Sequence, residues 1–185
     1  MIYLDTQMLC DQGQTEVNKQ YPLPVTDEMK EAEMEWFRKE LENVKNSDYI
    51  LVVGHYQVHT PNAPLKCLKP VDELLHEYNV TGYINGHIHN QFYSTSVKGG
   101  MHYLETGMGA LTSAIPFLKP YRNKEINVEY IFNGVHDGSG KFLGWKGGFG
   151  MVDVDEKELT FEWWQATNDW PEMQHSVKIP IRNKL

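Results

Sequence analysis

Two apolar runs of strand length each end in Gly-His, and this echo limits the folds open to the chain. Tyr49-Ile50-Leu51-Val52-Val53 runs into Gly54-His55, and the segment from Val80 to Ile84 leads into Gly86-His87-Ile88-His89-Asn90. Both runs read as short buried strands. A glycine where a strand ends lets the backbone turn sharply and approach its neighbours closely. Residues two apart in an extended segment project to the same side, so His87 and His89 are expected to point at one place. If both strands end at the same edge of one sheet, His55 joins them. Three imidazoles converging there suit a metal, because neutral histidine is the commonest metal ligand. A lone His-x-His is more often a chance pair in a turn; the second Gly-His moves the balance toward a metal site.

The segments between these runs set the class. Residues 2–5 read as a first strand, and 11–26 as a polar loop with Pro22 and Pro24. Thr26 or Asp27 can cap a helix running to about Asn46. Its apolar positions Met34, Phe37, Leu41 and Val44 recur at the spacing of one buried face, with Trp36 off that stripe. A Pro-rich loop, Thr60 to Pro70, precedes a second helix over Val71–Tyr78. The first half therefore reads β-α-β-α-β, which argues for a parallel or mixed sheet covered by helices. In the second half, His102 to Gly107 reads as a strand ending in a glycine-rich turn, and residues 116–148 as one long loop. Phe149–Val154 and Leu159–Gln165 read as a hairpin, and Ser176–Ile181 as a last strand. The class is α/β with an antiparallel edge at the C-terminal end. The inner faces of Leu51, Val53 and Ile84 are expected to need a partner layer from outside the chain.

At 185 residues the chain suits one domain. No run approaches the ~20 apolar residues of a membrane span, and no signal peptide opens the chain. The formal charge of −8 argues against a nucleic-acid or anionic-membrane partner. Bound cations would still let an acidic protein hold phosphate. A buried strand with no lead-in is unusual at a chain start. The expectation is that Met1 is not the natural start and that a preceding half is missing, so the absent signal peptide says nothing about secretion. Cys10 and Cys67 both follow apolar strands, and their spacing leaves free thiols and a disulfide open. Asn79-Val80-Thr81 is a glycosylation sequon, and Asn79 also suits the left-handed cap of a helix.

Six pieces of the sequence together resemble one family. They are Leu4-Asp5-Thr6 with Cys10, Val53-Gly54-His55-Tyr56, Cys67-Leu68, Val80-Thr81-Gly82-Tyr83, Gly86-His87-Ile88-His89-Asn90 and Gly147-Gly148-Phe149. Their order and spacing resemble the C-terminal half of a calcineurin-like metallophosphoesterase, most nearly the small purple acid phosphatases of the tartrate-resistant type. The resemblance covers most of residues 1–165. It implies that residues 1–185 are the C-terminal half of a single four-layer α/β/β/α sandwich domain with a mixed sheet, its N-terminal half absent from this chain. A dinuclear centre is then expected at the C-terminal ends of the strands, Fe(III) with Fe(II), Zn(II) or Mn(II). By position, His55 and His87 correspond to ligands of the divalent metal and His89 to a ligand of the ferric iron. The resemblance also implies a Cys10–Cys67 disulfide, a glycoprotein with Asn79 as candidate site, and a secreted, lysosomal or vacuolar location.

The implied activity is acid hydrolysis of phosphate monoesters in the complete protein. Three departures bear on it. The family's upstream ligands, an Asp, a bridging Asp with an iron-binding Tyr, and an Asn followed by His, have no counterpart in this chain. Ile88 stands where the family has Asp. The loop after His55 is about two residues shorter than in the mammalian-type enzymes and lacks their Glu-His pair, leaving His59 as a substitute substrate contact or general acid, or as a plain surface histidine. With only part of the ligand set, residues 1–185 alone are expected to be inactive, and to be held within a larger chain or assembly. The rival readings are a non-catalytic scaffold of the same fold and a phosphodiesterase or nucleotide pyrophosphatase.

Overall fold

Two helices lie on one face of the main sheet, and each owes its position to local sequence chemistry. In the computed structural model, which describes residues 1–10, 25–109, 121–132, 135–136, 142–144, 147–166 and 170–183, helix α2 runs over Asp27–Val44. A short helix α1, Thr6–Leu9, precedes it. The Thr26 hydroxyl accepts from Met29 N at 3.3 Å and so satisfies one of the free amides of the first turn of α2. Phe37 and Leu41 are wholly buried and Met34 and Val44 pack beside them, whereas Trp36 remains 40% exposed. Helix α3, Lys69–Glu77, starts two residues before the expected Val71, because Pro70 falls in its first turn where a missing amide costs nothing. Val71, Leu74 and Leu75 are its buried side.

The main sheet has six strands: β1 (Ile2–Tyr3), β2 (Leu51–Val53), β3 (Gly82–Asn85), β4 (Gln91–Ser96), β5 (His102–Thr106) and β6 (Ile126–Ile131). Their order is β1-β2-β3-β5-β4-β6. The β1–β2, β2–β3 and β3–β5 pairs are parallel, and β4 runs antiparallel to both β5 and β6. The sheet is therefore mixed. Strands β4 and β6 are additions to the expected layout, and β6 falls inside the stretch 116–148 read as one loop. Two further short strands, β7 (Val135–His136) and β8 (Phe142–Gly144), pair within the same stretch. Most of the polar loop read over 11–26, and residues 116–120, lie outside the described residues.

The C-terminal hairpin is not an edge of that sheet. Strands β9 (Gly148–Val154), β10 (Glu158–Gln165) and β11 (Glu172–Pro180) form a separate antiparallel sheet in the order β11-β10-β9. Its alternating side, Leu159, Phe161 and Trp163 with Ile179, packs on Leu51, Ile84, Tyr93 and Leu104 of the main sheet. The partner layer expected from outside thus comes from the chain itself. Burial of side chains such as Leu51 and Ile84 contributes about 1.5–3 kcal/mol each. The helices cover the opposite face through a second core that includes Phe37, Leu41, Val52, Leu75, Tyr83 and Tyr103.

Two ties join elements distant in sequence. Cys10, after α1, and Cys67, before α3, are disulfide-bonded with Cα atoms 5.2 Å apart, as the resemblance implies. Arg182, only 7% exposed, donates to the carbonyls of Lys45, Ser47, Tyr78 and Asn79. It thereby satisfies carbonyls left free at the ends of α2 and α3. Asn79 takes a left-handed conformation, φ 48°, just past α3, and its amide donates to Asn183 O at 2.7 Å. That is its capping role.

Candidate metal site

His55 is set by a glycine and a threonine. Gly54 follows β2, its amide bonds Ile84 O at 3.0 Å, and a Cβ there would lie 2.2 Å from the Tyr83 hydroxyl and 2.8 Å from Thr6 Cγ2. Only glycine fits so close an approach. The wholly buried Thr6 Oγ1 accepts from both His55 N and Tyr56 N at 2.9 Å, and Tyr83 OH donates to Tyr56 O at 2.6 Å. Nothing in the sequence pattern singled out Thr6. Its presence in the Leu4-Asp5-Thr6 piece was the available clue.

His87 is set differently. Strand β3 ends at Asn85, and His87 and His89 both take positive φ, 73° and 52°. This is uncommon for residues with a side chain and is held only by surrounding contacts. The Gly86 amide reaches back to His55 O at 3.2 Å, so the two strand ends are joined. His87 Nδ1 then lies 3.2 Å from His55 Nε2, with both side chains exposed at the surface and the Tyr56 ring edge-on to each. Burial of the ring atoms pushes both imidazoles below the ordinary histidine range. The neighbouring His89 adds to this at His55, against the pull of Asp5, and His55 and His89 add to it at His87.

This pair fits a metal. Two nitrogens bound about 2.0–2.1 Å from one ion stand about 2.9–3.4 Å apart at ordinary coordination angles. A shift that favours the neutral form also favours metal binding. His89, expected at the second ion, lies near enough to act electrostatically on both rings. Among the described residues, His55, His87 and His89 do not form a set whose ligand atoms all lie within 4.8 Å of one another. The alternation that predicted their convergence applies to extended backbone, and the turn after Asn85 is not extended.

His59 goes elsewhere. It is 2% exposed, its ring packs on Tyr103, its Nε2 faces Asp72 Oδ2 at 3.2 Å and its Nδ1 faces Asn123 Nδ2 at 3.2 Å. A ring engaged on both nitrogens and buried beside α3 is not the plain surface histidine that the sequence allowed. Tyr103 OH donates to Asp72 Oδ1 at 2.6 Å, and His76 flanks the same carboxyl. Burial raises the Asp72 pKa, but the bonds from His59 and Tyr103 outweigh it and hold the carboxyl below its usual range. His59, Asp72 and Glu125 do bring ligand atoms within 4.8 Å of one another. Their hydrogen bonds argue against an ion there. The Asn123 amide is oriented by donating to Thr60 O and accepting from Glu125 N, both at 2.9 Å. It therefore presents a donor to His59 Nδ1, which leaves the proton on Nε2, where a metal would have to bind.

Residues 2–91 match the family model of the calcineurin-like phosphoesterases. The chain is 30% identical over 184 residues to tartrate-resistant acid phosphatase type 5 of Oryctolagus cuniculus, covering 98% of this chain and 52% of that protein. It is 32% identical over 167 residues to the Rattus norvegicus protein of the same name, covering 89% and 48%. The chain thus spans about half the length of these relatives. Among solved structures, GAP50, the anchor in the inner membrane complex of Plasmodium, matches at TM-score 0.71 and 18% identity, over 98% of this chain and 49% of that one. A purple acid phosphatase from yellow lupin seeds matches at TM-score 0.58 and 14% identity, over 80% and 28%.

Proposed function

Since this chain carries a calcineurin-like phosphoesterase segment and is homologous to the tartrate-resistant acid phosphatases, we propose that it is the metal-binding C-terminal half of a phosphomonoesterase. The observation that carries this reading is the 3.2 Å meeting of His55 Nε2 and His87 Nδ1 at the ends of two parallel strands. In the complete protein these two rings would hold a divalent ion, with His89 turning toward a second ion, iron in the purple acid phosphatases. Such a centre supplies Lewis acidity toward a phosphoryl group and a nucleophile at mildly acidic pH. The chain's own residues favour the neutral form of the two rings through burial, and Thr6, Tyr83 and Gly54 hold the backbone around His55 and Tyr56. Tyr56, edge-on to both rings, forms the wall of the site. The disulfide suits an oxidising compartment, so a secreted, lysosomal or vacuolar location belongs to the same reading.

A second reading is a scaffold of the same fold. His59 is buried and bonded on both nitrogens, and a solved relative in fold is described as an anchor. Metal analysis of the full-length protein, with turnover of p-nitrophenyl phosphate across pH, separates the two. Two bound metals and metal-dependent hydrolysis lost in His87→Ala support the phosphatase. Metal-free protein with no turnover after reconstitution supports the scaffold.

A further inference from the structure

Glu105 is wholly buried in β5, where its backbone pairs with Asn85 of β3 on one side and Phe92 of β4 on the other. Its side chain meets the base of the Gly86–His89 turn. Asn85 Nδ2 donates to Glu105 Oε2 and also, at 3.2 Å, to Gly86 O. The Ile88 amide closes the turn by bonding Gly86 O at 3.0 Å. Oε1 has no hydrogen-bond partner in contact geometry. A Cβ on Gly107 would come within 3.0 Å of Oε1 and 2.9 Å of His89 N, so carboxyl, glycine and turn are packed against one another. From the other sheet, the Trp163 indole donates to Glu105 O at 2.8 Å.

A carboxyl is an expensive way to fill this space. Leucine would fill a sheet interior without desolvating an acid or leaving an orphaned oxygen. It could not accept from Asn85. The turn above needs such support, since His87 and His89 sit at positive φ, a conformation that persists only where the surroundings over-determine it.

We propose that Glu105 is a positioning residue for the metal site, holding the Gly86–His89 turn through the Asn85 side chain so that His87 meets His55. This rests on the metal reading above. The test compares wild type, Glu105→Leu and Glu105→Gln in the full-length protein with two readouts. One is Co²⁺ affinity from its absorption spectrum. The other is the rate at which diethyl pyrocarbonate modifies His87 in metal-free protein, followed by peptide mass spectrometry. Glu105→Leu should weaken Co²⁺ binding at least about ten-fold, in the range of other outer-shell changes. It should also speed His87 modification several-fold. Glu105→Gln keeps an acceptor for Asn85 and should restore both to about two-fold of wild type. Wild-type Co²⁺ affinity and His87 reactivity in Glu105→Leu would overturn the proposal. Should wild type bind no Co²⁺, the metal reading fails and the metal-free reactivity decides alone: a raised rate supports Glu105, an unchanged one refutes it. If Glu105→Leu does not fold, Asn85→Ala cuts the same bridge and is judged by the same two readouts.

Discussion

His55 and His59 stand four residues apart on one loop, yet they belong to opposite kinds of site. His55 is exposed, and the ring contacts around it are those of His87 and Tyr56. His59 is buried, with Asp72 on one nitrogen and Asn123 on the other, and Tyr103 and His76 complete the network around Asp72. Saturated polar groups rigidify a core and have no capacity left for a ligand. Two imidazoles that meet each other at the surface, one of them on a strained turn, do have that capacity. The difference lies in hydrogen-bond satisfaction, which residue type alone does not reveal.

The largest test of this contrast is the disulfide. It closes a 57-residue separation and anchors the chain entering α3, on the saturated side. Cys67→Ser should lower the unfolding free energy by about 4 kcal/mol in the chain-entropy model. Denaturant titration measures this. Co²⁺ affinity in the folded variant should hold, and its collapse would mean that the two sides form one unit.

Next comes a crossed pair. His87→Ala should weaken metal binding on the order of 100-fold. It should change stability by no more than about 0.5 kcal/mol, as for an exposed site. Asp72→Ala should do the reverse, costing about 1–3 kcal/mol by orphaning the His59 ring and the Tyr103 hydroxyl. Its metal affinity should stay near wild type. If both variants damaged both quantities alike, the contrast would be broken.

The smallest effects are in pH, and their signs differ. The lowered His55 and His87 pKa values mean that the folded, metal-free protein binds fewer protons than the unfolded chain just below the ordinary histidine range. Their stabilisation is present above that range and fades as pH falls through the folded values. Asp72, also lowered, loses its contribution only as pH falls below the usual carboxylate range. Glu105 runs the other way: burial drives its pKa well up, so the folded state holds its proton and loses stability as pH rises through the folded value. Thermal scans from pH 3 to about 8 should find that Glu105→Gln removes the loss on the alkaline side and that His87→Ala reduces the one near the histidine range, to which His55 also contributes. An unaltered profile in either variant would contradict the direction of the corresponding shift.

Much of the framework was legible. The stripe Met34, Phe37, Leu41 and Val44 gave α2 its buried side, and the two Gly-His runs gave parallel neighbours β2 and β3. Strand β4 was missed because Gln91-Phe92-Tyr93-Ser94-Thr95-Ser96 is buried at five of six positions, polar residues included, so no alternation marks it. Thr6, Asn123, Glu105 and Arg182 carry no local signature; each acts through a partner distant in sequence.

The sequence by itself determined the α/β class, the apolar strands with glycine ends, and the imidazoles close to one sheet edge. These follow from short-range periodicity and from what glycine permits. Only the tertiary structure decided which histidines meet. The turn after Asn85 abandons extended geometry, so that His87 meets His55 there, and the Asp72–Asn123 pair draws His59 into the core. Side-chain direction at a turn, and the satisfaction of a buried polar group, depend on neighbours that the chain brings together only on folding.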